Sequence, residues 1–126
     1  MIKSTIFSTL AISLLSVSPL TLEFVFAPVA LSQPSTRYST ADLVKARNLA
    51  RQTIESLNGG LSRYRAENSM HGPITKAPFT ENEDGTITFK FLGGTPAWKT
   101  PTVESVVTVQ PSNWSIKVDY NGAVRR

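Results

Sequence analysis

From Leu43 onward, apolar side chains recur every three or four residues: Leu43, Ala46, Ala50, Ile54, Leu57, Leu61 and Tyr64. At 100° per residue these positions fall in one stripe, which predicts a helix with one buried face. Further along, the period changes to two. Residues 86–91 alternate with Ile87, Phe89 and Phe91 on one side, residues 103–110 are rich in β-branched side chains, and residues 114–120 alternate again. A chain with one helical stripe followed by several half-dry strands has few ways to bury both. The economical one is α+β: one long N-terminal helix packed on a three- to four-stranded antiparallel sheet in meander order.

Local signals set the boundaries. Ser39 is placed to cap the helix start, with Asp42 three residues on near the positive end of the helix dipole. Tyr38 and Leu43 stand at hydrophobic-staple positions. Asn58-Gly59-Gly60 has the composition of a stop, and each interior glycine costs about 1 kcal/mol relative to alanine. Leu61 and Tyr64 nevertheless stay in phase across it, so the helix is expected to run to about Arg65. Residues 77–81 are expected to pair back across an 82–85 turn, and Pro111-Ser112-Asn113 to join the last two strands. The expected core joins the helix stripe to Ile87, Phe89, Phe91, Val107, Val109, Trp114, Ile116 and Val118.

The first 32 residues differ from the rest. Lys3 precedes an apolar run over residues 6–20, and Ala30-Leu31-Ser32 offers small residues at both positions a signal peptidase reads. Pro19 and Glu23 interrupt the run before it reaches the roughly 20 residues of a membrane span. Residues 1–32 are therefore expected to be a signal peptide, with 33–38 a flexible lead-in and 39–124 a single domain. The expected location is periplasmic or extracellular, with no stable transmembrane span after processing. Retention of the segment as an uncleaved anchor is the alternative.

The chemistry offered is sparse. With no cysteine, the chain has no disulfide, thiolate nucleophile or thiolate metal site. His71 is the only histidine, and with Glu67 it makes two metal ligands at most, where zinc needs three or four. No serine-nucleophile or phosphate-loop motif is present. The reading is therefore no catalytic residues, no metal and no cofactor. A small hydrolase using His71 and an inhibitor of an exported enzyme stand as alternatives. The net charge of +4 is too small and dispersed for a dedicated nucleic-acid patch, so no specific nucleic-acid binding is expected.

Two contact surfaces remain. The 93–101 loop is longer than a hairpin needs and carries Trp98 beside Lys99; the ring either binds a partner or covers the core edge. The helix flank carries Arg47, Arg51 and Arg65, with Arg51 also spaced to pair with Glu55. With His71, these are the candidate contacts for an envelope glycan, an anionic surface or an exported protein.

The stretches Asn58-Gly59-Gly60-Leu61-Ser62-Arg63-Tyr64-Arg65-Ala66-Glu67, Ser69-Met70-His71-Gly72-Pro73 and Thr102-Val103-Glu104-Ser105-Val106-Val107-Thr108-Val109, with Trp114 and Asp119-Tyr120-Asn121-Gly122, resemble small exported proteins found in cyanobacteria. The resemblance implies an extracytoplasmic location and carries no mechanism. A long helix followed by an antiparallel meander is also similar to cystatin-like and PepSY-like topologies. The Gln-x-Val-x-Gly loop of cystatins is missing, so protease inhibition does not carry over.

Overall fold

The computed structural model describes residues 37–126, all of which belong to one compact unit, Gln33–Arg126. The expected signal peptide and its cleavage site lie outside the described residues, as does most of the expected lead-in. One helix, α1 (Thr40–Leu57), packs on an antiparallel sheet of five strands. These are β1 (Arg65–Ala66), β2 (Phe79–Glu81), β3 (Ile87–Gly94), β4 (Val103–Gln110) and β5 (Ser115–Ala123). Strands β3, β4 and β5 are sequential neighbours, and both β1 and β2 pair with the free side of β3.

Ser39 caps α1 by accepting a hydrogen bond from the Asp42 N–H. The helix ends at Leu57, not near Arg65. Gly59 and Gly60 have φ of +98° and +86°, a region that L side chains enter only at a cost. The Gly60 N–H donates to Glu55 O at 2.7 Å and the Gly59 N–H to Ser56 O at 3.3 Å. This is the double bond pattern of a Schellman stop, which satisfies the last carbonyls and turns the chain away. The in-phase positions beyond the stop are then freed from the stripe. Leu57 and Leu61 are exposed, whereas Tyr64 reaches the core by a turn closed onto Gly60 O.

The core lies between α1 and one face of the sheet. Leu43, Ala46, Ala50 and Ile54 of the helix meet Ile87, Phe89, Phe91, Val107 and Val109, with Tyr64, Ala66 and Met70 closing one end. The register explains the layers: Ile87, Val109 and Ile116 align across three strands, as do Phe89, Val107 and Val118. Two features depart from simple alternation. Trp114 lies in the β4–β5 turn at φ +59°, not in the strand; it is only partly buried, with Lys45 Nζ 4.0 Å from its ring centroid. A bulge at Asp119 then shifts the phase, because Val118 pairs with Val107 but Tyr120 pairs with Val106. Tyr120 therefore leaves the core face, and Asn121 enters it opposite Ser105. There Asn121 exchanges amide hydrogen bonds with Asn58 at the helix end, 3.1 and 3.0 Å, and accepts one from Ser105 Oγ.

The fifth strand, β1, is the one absent from the expected sheet. Its two residues pair Arg65 with Gly94 and Ala66 with Gly93. Glu67 prolongs the ladder: its N–H donates to Leu92 O at 2.9 Å, and its carboxylate accepts from the Leu92 N–H at 2.8 Å. Gly93 is required here, since a Cβ at that position would collide with the Tyr64 ring. No helix among the described residues is long and apolar enough to cross a membrane.

Candidate functional site

Beside β1 lies an open groove of about 530 Å³, lined by Arg65, Ala66, Asn68, His71, Ala97 and Trp98. Arg65 is presented by β1, and Asn68 and His71 by the short 3₁₀ turn that follows (Asn68–Met70 and its cap). Trp98 arrives from the β3–β4 loop. Its indole Nε1–H donates to Arg65 O at 2.9 Å, and its N–H donates to Thr95 O at 3.0 Å. It also packs on Gly94, where an added Cβ would come within 3.1 Å of Trp98 Cγ. The residue before it, Ala97, sits at φ +63° without the local side-chain hydrogen bond that Asn or Asp would bring. Backbone strain of this kind persists only where surrounding contacts enforce it. The two hydrogen bonds of Trp98 supply that enforcement, the backbone one holding the turn and the indole one anchoring the ring.

Three polar side chains in the groove have no protein partner among the described residues. The Arg65 guanidinium makes no ion pair, and neither the Asn68 amide nor the His71 ring makes a hydrogen bond, although all three are exposed. The surroundings are electropositive. The His71 imidazole is pushed below its ordinary 6.5, first by partial burial and then by Arg51, with Arg47 and Arg65 adding and Glu55 opposing.

The other arginines of the expected flank are committed elsewhere. Arg47 is buried; its guanidinium donates to Gly72 O and to Asn48 Oδ1, and burial holds its pKa below the usual value. It ties the His71–Gly72 connection to the helix and presents no charge to solvent. Arg51 pairs with Glu55 at 3.0 Å within the same helix. Lys99 is exposed next to Trp98 but does not line the groove. Glu67 is held by Leu92 and is likewise absent from the lining. Among the described residues no three His, Cys, Asp or Glu side chains gather as a metal site would require.

A second groove, about 620 Å³, opens at the far end of the sheet among Asn82, Asp84, Thr86, Thr108, Lys117 and Asp119. Its polar groups largely satisfy one another. Asn82 donates to Thr86 and Thr88, Thr86 to Asp84, and Thr108 to Asp119, while Lys117 lies 3.6 Å from Asp119. These groups spend their hydrogen-bonding capacity internally, whereas those beside β1 hold theirs open.

No sequence signal marks Asn68, which joins the groove lining only through the 3₁₀ turn that follows β1. Compared with known proteins, the chain matches no family model, no curated protein and no solved structure at a significant level.

Proposed function

We propose that this protein is exported and works outside the cytoplasm as a non-catalytic binding module, taking a negatively charged group into the groove beside β1. The observation that carries this reading is the convergence of three unpartnered polar side chains, Arg65, Asn68 and His71, on a fixed tryptophan face. A free guanidinium favours carboxylate, sulfate or phosphate oxygens, and its planar fork loses less entropy on binding than a lysine. The commitment of Glu67 to the sheet weighs against the hydrolase alternative, because its carboxylate is engaged by the Leu92 N–H. The layout of residues 1–32 and the resemblance to small exported proteins support the location.

The test is fractionation of the native host, with intact-mass measurement of the protein where it accumulates, followed by co-sedimentation with envelope material. The expected result is a species beginning at Gln33 in periplasm or medium that sediments with the envelope. Arg65→Glu should release it to the supernatant, while Lys117→Glu at the far groove should not. Equal retention of the wild type and Arg65→Glu would remove the groove from the account. A full-length, membrane-bound species would make residues 1–32 an anchor.

A further inference from the structure

We propose that the group received by the groove beside β1 is an acidic sugar: a pyranose ring bearing a carboxylate, lying against Trp98 with its charge toward Arg65 and His71. This inference rests on the binding reading above and names the ligand class.

The Trp98 indole is anchored through its Nε1–H on Arg65 O, packs against Gly94, and gives the groove an aromatic face. Such a face binds flat apolar surface at little entropic cost, because nothing must be ordered on binding. The C–H face of a sugar is a surface of this kind. A bare phosphate or sulfate would leave the tryptophan unused.

The polar groups then narrow the choice. Arg65 calls for an anion, and His71 can join it by taking up a proton. Asn68 is neutral and carries both donor and acceptor, which suits a hydroxyl. Ala66 and Ala97, both small, let a ring approach closely between these groups. A neutral sugar would desolvate Arg65 without compensating it. A nucleic acid strand calls for a row of cations along its backbone. That row is broken here, because Arg47 is bonded to Gly72 and Arg51 to Glu55. The volume of about 530 Å³ falls in the ordinary ligand range of roughly 300–1,000 Å³, and the groove is open, so a chain can lie across it.

The experiment is calorimetric titration of the protein, isolated as it accumulates in its host, at constant ionic strength with three probes. These are a galacturonic acid oligosaccharide, a neutral galactose oligosaccharide of equal length, and sodium sulfate. The acidic oligosaccharide should bind at least about tenfold more tightly than either of the others, which is about 1.4 kcal/mol. Arg65→Ala and Trp98→Ala should each weaken it by more than about fivefold. Trp98→Phe, which keeps an aromatic face, should retain most of the affinity, and so guards against a Trp98→Ala protein that fails to fold. If sulfate binds as tightly as the acidic oligosaccharide, or Trp98→Ala folds and binds it normally, the sugar assignment is overturned while the anion-binding reading stands. If neutral and acidic oligosaccharides bind equally, the assignment also falls. If neither the acidic oligosaccharide nor sulfate binds, both the assignment and the reading beneath it fall.

Discussion

Replacing Tyr64 with phenylalanine should change how stability depends on alkaline pH, and the size of the change follows from where the ring sits. Tyr64 is 1% exposed, and its Oη makes no well-formed hydrogen bond among the described residues. Burial pushes the phenol from 10.0 up to about 12; Ser105 pulls the other way, and the Glu55 and Glu67 carboxylates add to the rise. A raised value means that the folded state keeps the proton when the unfolded chain has released it. Below pH 10 the group contributes no pH dependence. Between 10 and about 12 stability falls as pH rises, because only the unfolded state gains from ionising. With one pKa unit worth about 1.4 kcal/mol, the loss from this residue is about 1.4 kcal/mol at pH 11 and approaches about 2.7 kcal/mol above 12. The variant removes the loss. At pH 8 it should be equal to the wild type or more stable by about 1 kcal/mol, since an unpaired buried hydroxyl is costly to keep. Urea unfolding of both proteins at pH 8 and pH 11 gives the comparison, and the titration of lysines and the remaining tyrosines cancels in the difference. A gap between the two proteins that does not change from pH 8 to pH 11 would refute the reasoning.

Other predictions follow from single contacts. Gly93→Ala should destabilise the fold by about 1–3 kcal/mol by driving a methyl group into the Tyr64 ring, read as a lower urea midpoint. Asn121→Ala should cost about 1–3 kcal/mol by leaving Asn58 unpaired between helix and sheet; an unchanged midpoint would show the amide pair to be idle. Ala97→Gly should raise stability by about 1 kcal/mol in thermal unfolding, by relieving the left-handed backbone. The affinity of the groove for an anion should rise as pH falls below 6.5, since a bound negative charge favours the imidazolium that burial, Arg51, Arg47 and Arg65 oppose and Glu55 favours. His71→Asn should flatten that dependence, measured by titrating the same ligand from pH 7.5 to 5.

The parts of the fold that were legible in the sequence are those set by periodicity. The helix stripe and the alternation of β3 depend on burial of one face, which repeats over enough residues to be seen. The helix stop was visible as Asn58-Gly59-Gly60 but outweighed by the phase of Leu61 and Tyr64. That phase is accidental, since Leu61 ends in solvent and Tyr64 is delivered by a turn. The Asp119 bulge leaves no trace in an alternating sequence, because one extra residue changes the face without changing the pattern. The site depended on β1, and two residues are too few to carry any period. Trp98 and His71 stand out as residue types, and Arg65 was singled out on the expected helix. What sets the three side by side is pairing with Gly93–Gly94, a contact made across nearly thirty residues of sequence. Composition cannot show that Arg47 and Arg51 are committed to Gly72 and Glu55 while Arg65 is free. The difference lies in which partners the fold puts within reach.

The central claim is that the groove beside β1 receives a ligand, and the most direct measurement is a map of backbone and indole N–H resonances during titration with the acidic oligosaccharide. The account predicts shifts confined to residues 65–71 and 97–99, with the Trp98 indole signal among the largest. Shifts centred instead on residues 82–86 and 108–119, at the far groove, would contradict it.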